Sequence, residues 1–190
     1  MLSAETIDPD RQVKGIVAPG FEPVIRSFSE SLAEGGRGGA AFAVYRHGEP
    51  LVDIWGGVAD EVTGRLWERD TLQLIFSGTK GLVAACLLVL IDRGQLELSA
   101  PVAQYWPEFG KPDILVEHVI SHRSRLAGIE TPLTIADFTD DQYMASLLAH
   151  QMPCTDPRAD NCYHALTYGW LCGELVKRIS GQSIGGFFRT

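Results

Sequence analysis

Ser77 and Lys80 stand three residues apart in FSGTKGL (76–82), just ahead of the apolar run VAACLLVLI (83–91). A serine hydroxyl is a poor nucleophile until a neighbouring group takes its proton. On a helix, residues three apart share a face one turn apart. At a helix start the macrodipole disfavours an ammonium and an apolar surround disfavours it further, so both are expected to lower the lysine pKa towards that of a base. The same dipole, with the Ser77 N–H, favours an oxyanion. The pair therefore suits acyl transfer. A second reading stays open, in which Ser77 caps the helix and Lys80 is an exposed first-turn residue. With 11 serines and 4 lysines in 190 residues, chance places about 0.2 such pairs.

A second candidate lies far along the chain, in NCYHALTYGW (161–170). Tyr163 follows a polar, turn-rich loop, PCTDPRADNC (153–162), and precedes a helical pattern. A tyrosine placed there can direct its hydroxyl into a cleft, where a nearby cation would lower its pKa and make it a proton shuttle. The alternative is that Tyr163 and Tyr168 are packing aromatics. His164, beside Tyr163, either tunes the charge of a site or faces solvent. His118 and His122 are four apart and could share a helix face, but they have neither HExxH order nor an evident third ligand. A packed or hydrogen-bonded pair is the expected state, and no metal is called for. No G-x-S-x-G elbow, P-loop or G-x-G-x-x-G occurs, and GGRGG (35–39) fails the dinucleotide spacing. These absences argue against an α/β-hydrolase or a nucleotide enzyme.

The elements that must position these residues follow from periodicity. In 23–33 (PVIRSFSESLA) Val24, Phe28 and Leu32 mark one face of a helix, with Gly35-Gly36 as its stop. AAFAVYR (40–46) and LVDIW (51–55) flank HGEP (47–50) as a hairpin. The segment 77–93 is apolar nearly all round, which predicts a central helix covered on every side, with Arg93 and Gly94 as stop signals. Beyond it, Ser99 and Pro101 suggest a short helix start. TDDQ (139–142) reads as a capping box for a helix through Leu148. The segment 165–179 is amphipathic and ends at Gly181, and Ser183 opens one more helix. The order predicts an α+β fold, a single domain over 1–190 with a helix and hairpin in 1–75 and a helical region in 76–190. Two strands make a marginal sheet, so further sheet is expected to follow, and the chain reads as incomplete.

Composition narrows the function classes. Hydrophobic residues make up 45% and charged residues 21%, a globular balance able to bury a core. The net charge of -8 at pH 7, with no Lys/Arg cluster longer than a pair, argues against nucleic acid or an anionic membrane as partner and points to a small molecule. The stretch 1–11 has neither a basic start nor an apolar core, so no signal peptide is expected. The four cysteines show no CxxC pairing, and nothing in the sequence supports a Cys154–Cys162 bridge. Free thiols in a cytoplasmic protein are the expected state.

Taken in order, SGTK (77–80), LELSAPVAQYWP (96–107), VISHRS (119–124) and YHA (163–165) resemble the penicillin-recognising serine hydrolases. The resemblance is nearest to the carboxylesterases with a class C β-lactamase fold (family VIII), and it extends over about 21–189. It implies an antiparallel sheet with a mainly helical region, and ester hydrolysis with no cofactor or metal. By that likeness Ser77 is acylated, Lys80 is its base or the base's partner, and Tyr163 shuttles the proton to the leaving group. β-Lactamase, D-amino peptidase or transesterase chemistry on the same trio is the runner-up; an inactive homologue or a fragment serving assembly is the alternative of another class. Ala165 stands where β-lactamases of the group carry an asparagine that contacts the substrate amide, which favours esters. Arg125 replaces a usual glycine; if that turn needs positive φ, arginine costs about 1 kcal/mol or more. DPRAD (156–160) replaces a W-x-P-G-like loop. The family's third motif, K-T-G-like or W-x-G-like, does not occur before Thr190, so the likeness implies a missing strand that normally gives a second oxyanion donor.

Overall fold

The computed structural model describes residues 5–8, 12–34 and 38–190, which divide into two compact units, Met1–Leu74 and Ile75–Thr190. The described parts combine an antiparallel sheet with helices, the α+β class expected from the element order.

In the first unit, β1 (Glu5–Asp8) pairs with β2 (Val13–Val17), β2 with β4 (Glu49–Asp60), and β4 with β3 (Gly39–Arg46). The two-residue β5 (Arg65–Leu66) also pairs with β4, and every pairing is antiparallel. The expected hairpin is present, but its turn is His47-Gly48 alone, with φ of 52° and 84°. Tight hairpin turns that match strand twist need such positive values, which glycine adopts freely and histidine more readily than most residues. α1 (Glu22–Glu34) presents Val24, Phe28 and Leu32 to the fully buried Val13, Val52 and Ile54, the face that the periodicity indicated. Its expected Gly35-Gly36 stop lies outside the described residues, as does most of the 1–11 stretch read for a leader.

The sheet differs from expectation in its extent. Two of its strands, β1 and β2, precede the hairpin and were not foreseen. VKGIV carries a lysine and a glycine, which weaken the strand pattern, yet Gly15 is required there. Its φ is 139°, and a Cβ would lie 2.1 Å from the Asp53 carbonyl oxygen.

The second unit is built from α2 (Thr79–Asp92), α3 (Val102–Tyr105), α4 (Val116–Ile120), α5 (Asp141–His150), α6 (Thr167–Ser180) and α7 (Ile184–Arg189). Cys86, Leu87 and Leu90 of α2 pack with Leu171, Cys172 and Leu175 of α6, and Leu148, Trp106, Phe109, Val119 and Leu126 complete the core. α6 ends at Gly181 in a left-handed conformation, and the Ser183 hydroxyl caps α7 by accepting the Gly186 N–H, both as read from the sequence.

Three expectations need correction. α2 is not covered on every side: Leu82, Leu88 and Val89 are exposed, Leu88 to 60%. Apolar character marks what can be buried but supplies no partner. Ser99 does not cap α3, because Pro101 takes the N-cap position and pairs with Leu115, and the Val102 N–H is used by the Ile114 carbonyl. The cap of α5 is Asp140, which accepts the Tyr143 N–H at 2.9 Å. Thr139 belongs to the preceding turn, where its hydroxyl donates to the Ala136 carbonyl. No helix among the described residues is long and apolar enough to cross a membrane.

Candidate active site

Ser77 sits in the middle of a single 3-10 turn, Phe76–Gly78, that runs straight into α2. Phe76 has φ of 44°, a left-handed conformation that costs a bulky residue about 1–2 kcal/mol. The kink leaves Ser77 exposed at the helix start. Lys80 is the second residue of α2, so its side chain lies over the same turn. Its Nζ donates to Ser77 Oγ at 3.2 Å and to the Ala165 carbonyl at 2.8 Å. The lysine is half-buried, not enclosed by apolar side chains as the sequence suggested. The capping alternative is not met: Gly78 holds the N-cap position of α2, no side chain caps it, and Lys80 is bonded to the serine.

Tyr163 arrives from the other end of the unit. The loop before it folds as a 3-10 turn, Pro157–Asn161, capped by Asp156, and α6 begins four residues after the tyrosine. The Lys80 ammonium lies 5.0 Å from the Tyr163 ring centroid. Interaction with the Ser77 side chain, and then with Lys80, lowers the pKa of the phenol below its ordinary value of 10.0. The structure thus brings Ser77, Lys80 and Tyr163 together across 86 residues of sequence (77 to 163). Tyr163 is 54% exposed and Ser77 is exposed, so both hydroxyl-bearing residues lie on an open surface of the described unit. A recess of about 510 Å³ is lined by Gln142, Ser146, Glu174 and Arg178 and does not include Ser77.

Beneath the tyrosine lies a layer of histidines. α4 closes with the Arg123 N–H on the His118 carbonyl and the His122 N–H on that of Val119, which is a Schellman ending with His122 as its left-handed residue, φ 63°. That ending turns the His122 ring onto Tyr163, His164 and Tyr168, at centroid distances of 5.0, 5.5 and 4.8 Å. His122 Nδ1 accepts the His164 N–H at 3.1 Å. Burial, and then the Lys80 charge, lowers the pKa of His122 below its ordinary value.

His164 is fully buried, not solvent-facing. Its Nδ1 lies 2.6 Å from the Cys162 carbonyl and must donate to it, which leaves Nε2 to accept the Ser124 hydroxyl at 2.8 Å. Burial keeps its pKa low as well. His118 is turned to a separate task, with Nδ1 accepting the Leu115 N–H at the start of α4. Among the described residues no three His, Cys, Asp or Glu side chains are grouped to hold a metal.

Arg125 does adopt positive φ, 59°, at the turn where the sequence raised that cost. Its guanidinium donates to the Cys154 carbonyl at 3.0 Å and pairs with Asp160, while its own carbonyl accepts the Cys154 N–H. The arginine thus bonds to two points of the altered loop that leads to Tyr163, Cys154 and Asp160. The four cysteines are all free.

The family model described as Beta-lactamase matches residues 24–190. Esterase/beta-lactamase LipL of Mycobacterium tuberculosis is 37% identical over 185 residues, which cover 96% of this chain and 43% of that protein. A crystal structure of a family VIII carboxylesterase superposes with a TM-score of 0.85 at 38% identity, covering 93% of this chain and 49% of that one. A penicillin-binding protein homologue from Caulobacter crescentus gives a TM-score of 0.85 at 34% identity, covering 93% and 48%. The chain thus spans about half the length of the relatives it matches.

Proposed function

The chain belongs to the beta-lactamase family, and from that membership we propose that it carries the nucleophile half of a serine hydrolase acting on small carboxylic esters. The observation that supports this most directly is the 3.2 Å hydrogen bond from Lys80 Nζ to Ser77 Oγ, with Tyr163 beside both groups.

Ser77 Oγ attacks the ester carbonyl carbon while its proton passes to the Lys80–Tyr163 pair. The Ser77 N–H, at the positive end of α2, supports the charge on the carbonyl oxygen. The carbon–oxygen bond to the alcohol then breaks, and Tyr163 returns a proton to the leaving alkoxide. Water next attacks the acyl-serine and gives its proton to the same pair. The acid departs as Ser77 recovers its hydroxyl. Lys80 acts as the base or as the charge that keeps the Tyr163 phenol acidic. No cofactor or metal enters these steps.

Ester over β-lactam substrates is supported by Ala165, which offers only its backbone carbonyl, to Lys80, and no side-chain amide. Four unpaired cysteines suit a reducing compartment such as the cytoplasm. The test is hydrolysis of p-nitrophenyl acetate and butyrate. Turnover lost in Ser77→Ala and sharply reduced in Lys80→Ala and Tyr163→Phe supports the assignment; equal rates in all four proteins would contradict it.

A further inference from the structure

We propose that His122 is the positioning residue for Tyr163, holding the backbone on both sides of it. The inference rests on the role proposed above for Tyr163. The carbonyl of His122 accepts the Cys162 N–H at 3.3 Å, and its Nδ1 accepts the His164 N–H at 3.1 Å. One residue thereby holds the Asn161–Cys162 and Tyr163–His164 peptide groups, one before and one after the tyrosine, and its ring also lies 5.0 Å from the Tyr163 ring. Tyr163 itself is more than half exposed, and the side-chain contacts it makes are with Ser77, Lys80 and His122. The backbone that carries it is set by the chain beneath it.

The clamp has a required chemical state. Nδ1 can accept an N–H only when unprotonated, so neutral His122 carries its proton on Nε2. The titratable groups facing the ring are Lys80 from α2, Tyr163 and His164 from the loop, and Tyr168 from α6. None is a carboxylate that would favour the imidazolium. Below the His122 pKa the acceptor is lost and residues 162–164 come free on one side. The left-handed φ of His122 narrows the substitutions that keep the arrangement, and asparagine meets both needs. It tolerates that conformation, and its side-chain carbonyl can take the place of Nδ1, whereas glutamine reaches one bond too far.

The experiment compares His122→Asn, His122→Gln and His122→Ala by ester turnover and by the titration of Tyr163. The titration is followed by carbon-13 NMR of labelled tyrosine, with the Tyr163 signal identified by its loss in Tyr163→Phe. Misplacing a proton-transfer group by about an ångström costs up to about 10²-fold. His122→Gln and His122→Ala should therefore lose about 10–100-fold in kcat with KM within about threefold. In both, the Tyr163 phenol should titrate closer to its ordinary value. His122→Asn should stay within about threefold of the unsubstituted chain in kcat, keep the Tyr163 titration, and lose the acid limb that His122 adds to the pH profile.

Equal losses in the Asn and Ala variants, or no loss and no shift in either, would overturn the clamp. Where His122→Ala does not fold, the Asn–Gln contrast decides alone. Should Ser77 prove unreactive while the titration pattern holds, the acyl-transfer reading falls and the clamp stands.

Discussion

The helical unit holds two lysines against backbone carbonyls, and their surroundings are opposite. Lys111 is 9% exposed, and its Nζ donates to the carbonyls of Phe109, Leu148 and Ala149 at 3.0, 3.0 and 2.5 Å. All three ammonium protons are used, two of them on the last turn of α5, where a cation offsets unpaired carbonyls and the helix dipole. Lys80 is half-buried and divides its bonds between one carbonyl and the hydroxyl of Ser77. A lysine bonded only to carbonyls fixes the fold, because carbonyls cannot give up a proton. A lysine bonded to a hydroxyl is set beside a group that can. The same side chain is thus a cap at one end of the unit and a candidate base at the other.

Substitutions can break this contrast from either side. The largest effect is expected at Lys80: Lys80→Ala should reduce ester turnover by about 10³-fold or more, as losing one member of a catalytic trio does. Its urea unfolding midpoint should stay near that of the unsubstituted chain. A stability loss matching the activity loss would make Lys80 a structural residue like Lys111.

Tyr163→Phe comes next, at about 10²-fold in turnover, within the usual range for one acid–base group. Because the phenol pKa lies below its ordinary value, turnover should rise with pH through a limb below pH 10, and the phenylalanine variant should lack that limb.

Lys111→Met should leave turnover per folded molecule unchanged but cost about 2–3 kcal/mol in urea unfolding, since buried carbonyls lose their donor. Burial pushes the Lys111 pKa down to about 8 from an ordinary 10.5. Between those values the unfolded chain binds more protons than the folded one. Stability should therefore rise with pH across that window, and the methionine variant should lack that rise.

The smallest effect is expected at Arg125→Gly. Glycine relieves the left-handed residue by about 1 kcal/mol and gives up an exposed ion pair worth about 0–1 kcal/mol, so stability should move by less than about 1 kcal/mol. A larger loss would show that the bonds to Cys154 and Asp160 hold the loop before Tyr163.

Much of this was legible in the residues. The Val24–Phe28–Leu32 face, the hairpin, the helix behind Ser77 and the cap at Ser183 each follow from local spacing, and local spacing was enough to find them. The Ser77–Lys80 pair is local too, and Tyr163 became visible through the order of motifs. What could not be read depends on partners distant in sequence. Nothing near His164 indicates that Ser124 and the Cys162 carbonyl will satisfy it in the core. His118 and His122 suggested a shared helix face, but α4 ends between them, and the left-handed turn sends their rings to different tasks. β2 was hidden by Gly15, which weakens a strand on its own and is needed for its positive φ and because Asp53 lies against it. The uniform apolarity of α2 likewise could not distinguish its packed face from the one bearing Leu88.

The central claim is that Ser77 is the nucleophile and that Lys80 and Tyr163 make it one. Its most direct test is reaction of the folded chain with a fluorophosphonate, followed by digestion and mass mapping. A single adduct is expected on the peptide holding Ser77, absent in Ser77→Ala and formed much more slowly in Lys80→Ala, while Lys111→Met labels at the unsubstituted rate. A folded chain that carries no adduct, or carries it on another serine, would contradict it.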